Sequence, residues 1–369
     1  MSEMKKRIVH VTFDMGIGGA EQVIYNLIEN TDSSAYEVSV LCTDQHIGAF
    51  GIQLQKKGYC VEAMSRKPGF DFSLIKKIHD YILSRKIDVL HCHQYTPYIY
   101  GLFGAALTPC KVIFTEHGRF YPDRRKLKRV IVNPFLSLMT AYITAISSAT
   151  RDALIRFENF PSRKIKVVYN GISDAKYRLP RDTNVRKSLG ISENAYILGT
   201  VARLDPIKNQ KMMIKALKIV RRSFPETFLI IVGDGPERET LKNFASELQV
   251  SSHVVFTGFR EDTHLFYRNM DMFLLTSFSE GTAMTLLEAM ASCLPCIATN
   301  VGGNPEIVRD RETGFVIPGD NEEILAEKII YLFEEKSMRE KMGQAGRRRF
   351  EENFTAKKMA EAYQEMYKK

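Results

Sequence analysis

The sequence predicts an α/β protein made of two doubly wound, parallel-sheet domains that face each other across a cleft. Three observations carry this. At 369 residues the chain exceeds one ordinary core and suits two domains of roughly 150–200 residues each. Its first half alternates short β-branched runs with amphipathic helical stretches, the pattern of a parallel sheet with helices on both faces. The same alternation restarts after a polar, charged interruption over 173–194 that contains Pro180 and reads as a linker. The expected layout is a first domain over 1–172, the linker, a second domain over 195–349, and an amphipathic terminal helix over 350–369 that need not belong to the domain it follows.

In the first domain, strands are expected at Ile8–Phe13, Glu37–Cys42, Ile87–His91, Lys111–Thr115 and Ala141–Ile146. Helices fall between them at Ala20–Asn30, Ile52–Lys57 and Pro97–Leu107. The second domain offers strands at Tyr196–Arg203, Thr227–Val232, Val254–Thr257 and Met272–Leu275, with helices near Gln210–Ser223 and Glu237–Leu248. The oily stretch Val130–Ile146 contains Asn133, Pro134, Ser137 and two threonines and is shorter than the ~20 residues of a spanning helix. It reads as a buried helix.

Composition is that of a globular protein, 44% hydrophobic and 26% charged, with no low-complexity run. The opening MSEMKKRIVHVTF has too few apolar residues after its basic ones for a signal peptide, so a cytoplasmic protein is expected. The six cysteines, Cys42, Cys60, Cys92, Cys110, Cys293 and Cys296, are then expected as reduced thiols. Cys293-Leu-Pro-Cys296 has redox or zinc spacing, but no second pair completes a four-sulfur site, and it reads as a helix-to-strand junction. Net charge is +9, and the surplus sits entirely in residues 1–180, with 25 Lys and Arg against 16 Asp and Glu. A one-sided basic surface favours an anionic partner such as a membrane face or a phosphate-bearing acceptor.

Ligands of open parallel sheets bind outside the carboxyl ends of the strands, so the chemistry is sought in strand-to-helix loops. The first such loop reads Asp14-Met-Gly16-Ile-Gly18-Gly19-Ala20-Glu21, where small residues let backbone N–H groups approach a phosphate or sugar, or simply start a helix. It lacks the third glycine of a dinucleotide fingerprint, which disfavours a nicotinamide dehydrogenase. Arg203-Leu-Asp-Pro-Ile-Lys208 follows a strand with two cations able to neutralise a diphosphate. No Asp-x-Asp pair occurs to hold a metal on that diphosphate, so fixed side chains would stabilise the leaving group and no metal or cofactor is expected. In Ser279-Glu280-Gly281-Thr282-Ala283-Met284-Thr285-Leu-Leu-Glu288, Glu280 precedes a helix and Glu288 lies about two turns into it. An acid flanked by Leu-Leu and Ala-Met-Ala is costly without a partner.

The run Glu280 to Glu288 resembles the EX7E signature of the large retaining GT-B glycosyltransferase family often called glycosyl transferases group 1. It continues into Glu288-Ala-Met-Ala-Ser-Cys-Leu-Pro and Gly302-Gly303-Asn304-Pro305-Glu306. Gly18-Gly19-Ala20-Glu21, Glu116-His117-Gly118, Tyr169-Asn170-Gly171-Ile172, Val201-Ala-Arg203-Leu, Val232-Gly-Asp234-Gly-Pro236 and Phe256-Thr-Gly258-Phe259 fall in the family's order. The resemblance implies two Rossmann-like domains and a retaining, metal-independent sugar transfer. Arg203 and Lys208 would hold the donor diphosphate, Glu288 the ribose hydroxyls, and Glu280 the sugar, helped by backbone groups of Thr282, Ala283 and Met284. Phe259 and Arg260 would hold the base, Gly18 and Gly19 would approach the diphosphate, and His117 would lie near the reacting sugar. The terminal segment Phe350–Lys369 would cross back onto the first domain. Cys293 stands where the family usually has glycine, and Thr282-Ala283 replaces its commoner aromatic-Gly or Pro-Asn, which bears on donor identity.

The expected donor is a UDP-sugar, with GDP-mannose second, and the expected acceptor a glycan or lipid-linked sugar of bacterial cell-surface polysaccharide synthesis. Front-face attack is expected, the leaving diphosphate helping to deprotonate the acceptor. His91-Cys92-His93 puts two histidines on one strand face, a metal-like pair with no evident third ligand, and His93 is read as acceptor-side. The segment Arg119–Arg129 carries six basic residues and one acid beside His117. Its Arg119, Arg124 and Arg125 are expected to meet the acceptor or anionic lipid headgroups on the inner membrane face. No nucleic-acid module accompanies them. Rival readings are an inverting enzyme of the same architecture and a non-catalytic basic protein that binds membranes or polyanions.

Overall fold

Thirteen parallel-paired strands build two sheets in the computed structural model, which describes residues 5–118, 123–180 and 183–368. The first sheet comprises β1 (Lys6–Thr12), β2 (Tyr36–Cys42), β3 (Cys60–Ala63), β4 (Val89–His93), β5 (Lys111–Glu116), β6 (Tyr142–Ala145) and β7 (Ile165–Val167). They lie in the order β3-β2-β1-β4-β5-β6-β7. The second comprises β8 (Tyr196–Val201), β9 (Thr227–Val232), β10 (Val254–Gly258), β11 (Met272–Leu275), β12 (Cys296–Thr299) and β13 (Gly314–Ile317). Their order is β10-β9-β8-β11-β12-β13. Both are doubly wound, Rossmann-like sheets. Strand order reverses between β1 and β4 and between β8 and β11, so the loops leaving these strands diverge and open a crevice at their carboxyl ends.

The chain divides into two compact units, Met1–Gly171 with Ala356–Lys369, and Ile172–Thr355. Each has its own core, because strands covered on both faces need apolar side chains on both. In the second unit Leu198, Leu229, Ile231, Leu274 and Ile297 pack with Met213, Leu217 and Ile329. Burying each such side chain contributes on the order of 1.5–3 kcal/mol. In the first unit Val9, Val11, Leu90, Cys92 and Phe114 form the equivalent layer, and Tyr98 stacks on Phe114 with ring centroids 4.3 Å apart.

Alternation sends His10, Thr12, His91, His93, Thr115 and Thr144 to the other face of the first sheet, where all are at most 1% exposed. This polar face is covered by the helix Ala356–Lys368, whose buried residues Ala356, Met359, Ala360, Tyr363, Met366 and Tyr367 recur at helical spacing. Its tyrosines supply the matching hydroxyls: Tyr367 Oη lies 2.7 Å from His91 Nδ1, and Tyr363 Oη 3.2 Å from Thr115 Oγ1. Lys6 Nζ donates to the Tyr367 carbonyl at 3.0 Å.

Two expectations need correction. The stretch 173–194 is not a free linker but part of the second unit, with a 3-10 turn at Ala175–Arg178 and a helix at Thr183–Ser188. Its anchor is Arg186, whose side chain is 2% exposed and donates to the carbonyls of Ser192, Glu193, Ala195 and Asn269. A guanidinium with five donors can be buried among carbonyls, so a charged segment need not be a solvated one. The oily stretch Val130–Ile146 is not one buried helix. A helix spans Leu127–Met139 and β6 follows, and Ile131, Phe135 and Leu138 are 58%, 68% and 70% exposed.

Candidate active site

At the carboxyl end of β8 the chain turns through Arg203 into a 3-10 turn, Pro206–Lys208, capped by Asp205, whose carboxylate accepts from the Ile207 N–H. This delivers Lys208 to the loop that leaves β11. Lys208 Nζ lies 2.6 Å from Glu280 Oε1, and Ser277 Oγ donates to the same oxygen at 2.6 Å. The Glu280 side chain is 9% exposed and that of Lys208 25%, so the pair is largely shielded from water. Its backbone is braced by Gly302, at φ +51°, where a Cβ would run into the Glu280 carbonyl oxygen. Gly233, at φ +136°, packs against the carbonyl of Ala202 in the same way, holding the β9 loop on the Arg203 segment.

Arg203 is different: its side chain is 72% exposed and its nearest carboxylate, Asp205, is 3.9 Å away. The structure thus joins Lys208 to Glu280 and leaves Arg203 reaching outward. Thr282 and Ala283 are buried, and Ala283 starts the helix Met284–Ala291 with no side-chain cap, an arrangement that suits an anion at the first turn. Glu288, within that helix, is partly buried. Burial pushes its carboxyl up, while the hydroxyls of Tyr267 and Tyr177 pull it down. The Tyr267 hydroxyl acts by proximity, being buried without a hydrogen-bond partner among the described residues. The two hydroxyls offset part of the cost of burying an acid amid Leu-Leu and Ala-Met-Ala. Phe259, 55% exposed, and Arg260, paired to Asp262 at 2.6 Å, follow β10 near the sheet edge.

In the first unit Gly18 caps the helix Gly19–Glu29 without a side-chain acceptor, and Gly16 N donates to Asp14 Oδ1 at 2.8 Å. Glu21 closes over Gly18 and is pushed up by burial. Across the sheet, His93 Nε2 lies 2.9 Å from His10 Nδ1, and His93 Nδ1 lies 2.7 Å from His117 Nε2. Burial holds His117 down to about 4. Burial and the charge on His117 hold His10 down to about 3, and burial drives His91 and His93 well below the ordinary range.

His10 is the third histidine that was not evident beside His91 and His93: their nitrogens lie within 4.8 Å of one another, a spacing a metal could use. The donor set does not fit one well, since both nitrogens of His91 are held by Tyr367 and Thr115, and His93 is held on both sides. Arg124 and Arg125 are exposed, and Arg125 Nε donates to the Arg156 carbonyl at 3.1 Å. Arg119 lies outside the described residues. Sequence reasoning missed His10, Ser277, Tyr177 and Tyr267, each of which acts through a partner at least three residues away. A histidine at an inward position of the apolar strand Ile8–Val11 was the one available signal.

Residues 17–176 match the family described as Glycosyltransferase Family 4 and residues 181–349 the one described as Glycosyl transferases group 1. The chain is a glycosyltransferase that carries a glycosyl transferases group 1 domain in its second half. This glycosyltransferase is 28% identical over 310 residues to N-acetyl-alpha-D-glucosaminyl L-malate synthase of Bacillus anthracis, covering 81% of this chain and 79% of the relative. It is 24% identical over 326 residues to UDP-Gal:alpha-D-GlcNAc-diphosphoundecaprenol alpha-1,3-galactosyltransferase of Escherichia coli, covering 85% and 84%. Among solved structures, Anabaena HepE in complex with UDP superposes with a TM-score of 0.87 at 22% identity, covering 99% of this chain and 100% of that one. A glycosyltransferase from Rickettsia africae gives 0.87 at 20% identity, covering 99% and 98%. These likenesses show the GT-B fold.

Proposed function

We propose that this glycosyltransferase moves a sugar from a UDP-sugar, with GDP-mannose as the second choice, to a glycan or lipid-linked acceptor of bacterial cell-surface polysaccharide synthesis. The transfer retains anomeric configuration and needs no metal. The observation that carries the reading is the Lys208–Glu280 pair at 2.6 Å beside the outward-reaching Arg203, at the switch point of the second sheet. The held Lys208 and the outward-reaching Arg203 neutralise the charge that grows on a leaving diphosphate, the term that dominates such transfers. Glu280 bonds the sugar hydroxyls, with the backbone of Thr282, Ala283 and Met284 beside it. Glu288 takes the ribose, steadied by Tyr177, and Phe259 and Arg260 take the base. Gly18 and Gly19 approach the diphosphate, and His117 the transferred sugar. A UDP donor is supported by the UDP complex of HepE and by the UDP-Gal donor that the Escherichia coli relative is named for.

The test is turnover of UDP- and GDP-sugars in excess EDTA, with the product anomer read by NMR. Transfer with an inverted anomer, or transfer abolished by EDTA alone, contradicts the reading.

The helix Leu127–Met139 extends the proposal to the acceptor side. Leu127, Ile131, Phe135 and Leu138 are 58–73% exposed at helical spacing, and Arg124, Arg125, Lys126 and Lys128 flank them. An apolar stripe edged by cations suits the surface of an anionic bilayer, where each nearby Lys or Arg adds about 1 kcal/mol. No helix among the described residues is long and apolar enough to cross a membrane. Vesicle flotation checks this: binding to anionic vesicles that is lost in Ile131→Asp/Phe135→Asp is expected, and equal absence of binding to anionic and neutral vesicles contradicts it.

A further inference from the structure

We propose that the loop 65–72, at the carboxyl end of β3, is an acceptor subsite that reads an anionic substituent, a phosphate or a carboxylate, on a sugar acceptor. Arg66 and Lys67 take the anion, and Phe70 and Phe72 take the sugar face beside it. The assignment rests on the proposed transfer, since it needs an acceptor at the crevice of the first sheet. Hydrogen bonds beyond the strands tie this loop to the chain leaving β1. Thr43 N donates to the Thr12 carbonyl and Asp44 N to that of Phe13, each at 2.8 Å. Met64 N donates to the Cys42 carbonyl at 2.9 Å, and Arg66 N to that of Thr43 at 2.7 Å. The Arg66 backbone therefore stands two strand spacings, about 10 Å, from the chain that leaves β1. That is too far for a group on the reacting atoms and near enough for one on the same acceptor molecule.

The loop is held from within. The Asp71 carboxylate accepts from the N–H groups of Lys67, Ser73 and Leu74 and from Ser73 Oγ, at 2.6–3.3 Å. Asp71 N donates to Tyr100 Oη at 2.9 Å, and Tyr100 Oη donates to the Gly69 carbonyl at 3.3 Å. With its one acid engaged by N–H and hydroxyl groups, the loop keeps two cations without a carboxylate. Arg66 donates to the Gly69 carbonyl at 3.2 Å, and neither it nor the exposed Lys67 forms an ion pair among the described residues. Phe70 stacks on Tyr100 with ring centroids 5.4 Å apart and meets Phe72 edge-on at 4.9 Å, yet the two phenylalanines stay 51% and 77% exposed. An aromatic pair left facing solvent beside unpaired cations marks a binding surface, and a pinned loop offers it at little ordering cost.

The charges along this edge are sorted. On the loops leaving β1 and β2 stand Asp14 and Asp44, both partly exposed. Carboxylates accept from sugar hydroxyls and repel an anion, so hydroxyls belong toward β1 and β2 and the anion toward β3. There Arg66 offers a planar fork and Lys67 a point charge, a pair that suits phosphate and carboxylate alike. An anionic bilayer carries one sign over its whole face and would meet the two acids together with the two cations, which favours a single small anion as the occupant.

The experiment is amide chemical-shift mapping on the full 15N-labelled chain, wild type and Lys67→Gln, titrated with N-acetylglucosamine 1-phosphate, glucuronate, N-acetylglucosamine and inorganic phosphate. At least one charged sugar is expected to move the amides of 65–72 and to bind there about tenfold or more tightly than N-acetylglucosamine, with Lys67→Gln removing about tenfold. Phe72→Ser should weaken the charged sugar and leave inorganic phosphate unchanged. Equal affinity for charged and neutral sugars, inorganic phosphate binding as tightly as the sugar phosphate, or unchanged affinity in Lys67→Gln overturns the proposal. So do shifts of these amides with phosphatidylglycerol vesicles and with neither charged sugar. Charged-sugar binding at the loop in a protein that transfers no sugar removes the transfer reading alone, whereas transfer with these amides unmoved by the acceptor removes the subsite alone.

Discussion

The two sheets share one strand order around their switch points, yet the residues set there differ in kind. At the ends of β8 and β11 stand Arg203, Lys208 and Glu280, an ionic group with one cation reaching into solvent. Within β1 and at the ends of β4 and β5 stand His10, His93 and His117, held uncharged by burial, with tyrosines of the terminal helix bonded to their neighbours His91 and Thr115. The same backbone thus serves two chemistries. Fixed charge suits a group whose charge grows in the transition state, whereas neutral donors suit hydroxyls, which need direction more than field.

Breaking the ionic end should have the largest effect. Arg203→Ala or Lys208→Ala is expected to lower turnover by roughly 10²–10³, with Arg203→Ala leaving the melting temperature unchanged because its side chain is 72% exposed. Wild-type rates in both would mean that the leaving group is stabilised elsewhere. Next comes the buried cation of the second unit. Arg186→Met leaves four carbonyls without their donor and should cost about 3 kcal/mol, read as faster hydrogen exchange within Ile172–Thr355 and not in β4 or β5.

The neutral end should show itself in acid. The folded values of His10, His91, His93 and His117 lie below the ordinary 6.5. As pH falls through 6.5 the unfolded chain binds protons that the fold refuses until about 4, so stability present at higher pH is lost across that window. Exchange protection in β1, β4 and β5 is expected to fall between pH 7 and 5 more than in β8 and β11. In the second unit His253 and His264 shift the same way but are only partly buried. Equal losses in both sheets would break the contrast. The smallest effect belongs to Glu288, whose carboxyl is raised by burial, so its charge weakens the fold as pH rises above the unfolded value. Glu288→Gln should raise the melting temperature by about 2 °C near neutral pH and not in acid, while the donor KM is expected to rise about tenfold on the proposed ribose-binding role of Glu288.

Much of the second sheet was legible because its strands are dense apolar runs: Thr227–Val232 and Met272–Leu275 match β9 and β11 residue for residue. Short strands escaped. β3 is an edge of four residues with two exposed, and β7 has only three, too few for a periodic signal. The helix Phe72–Arg85 was missed although Asp71 caps it by accepting from the N–H groups of Ser73 and Leu74. Val130–Ile146 was misread because apolar density does not reveal whether a face is covered. Lys208 and Glu280 were both expected at the site, but their direct pairing is a contact across 72 residues, and the bond from His10 to His93 spans 83. Such contacts are set by strand order, which local sequence does not encode.

The most direct test of the ionic switch point as the metal-free donor site is a thermal-shift panel of UDP, GDP and ADP in excess EDTA, run on wild type and Lys208→Ala. Selective stabilisation of wild type by one nucleotide, reduced in Lys208→Ala, is the expected result. A shift of equal size in both proteins, or one that appears only when a divalent metal replaces EDTA, would contradict it.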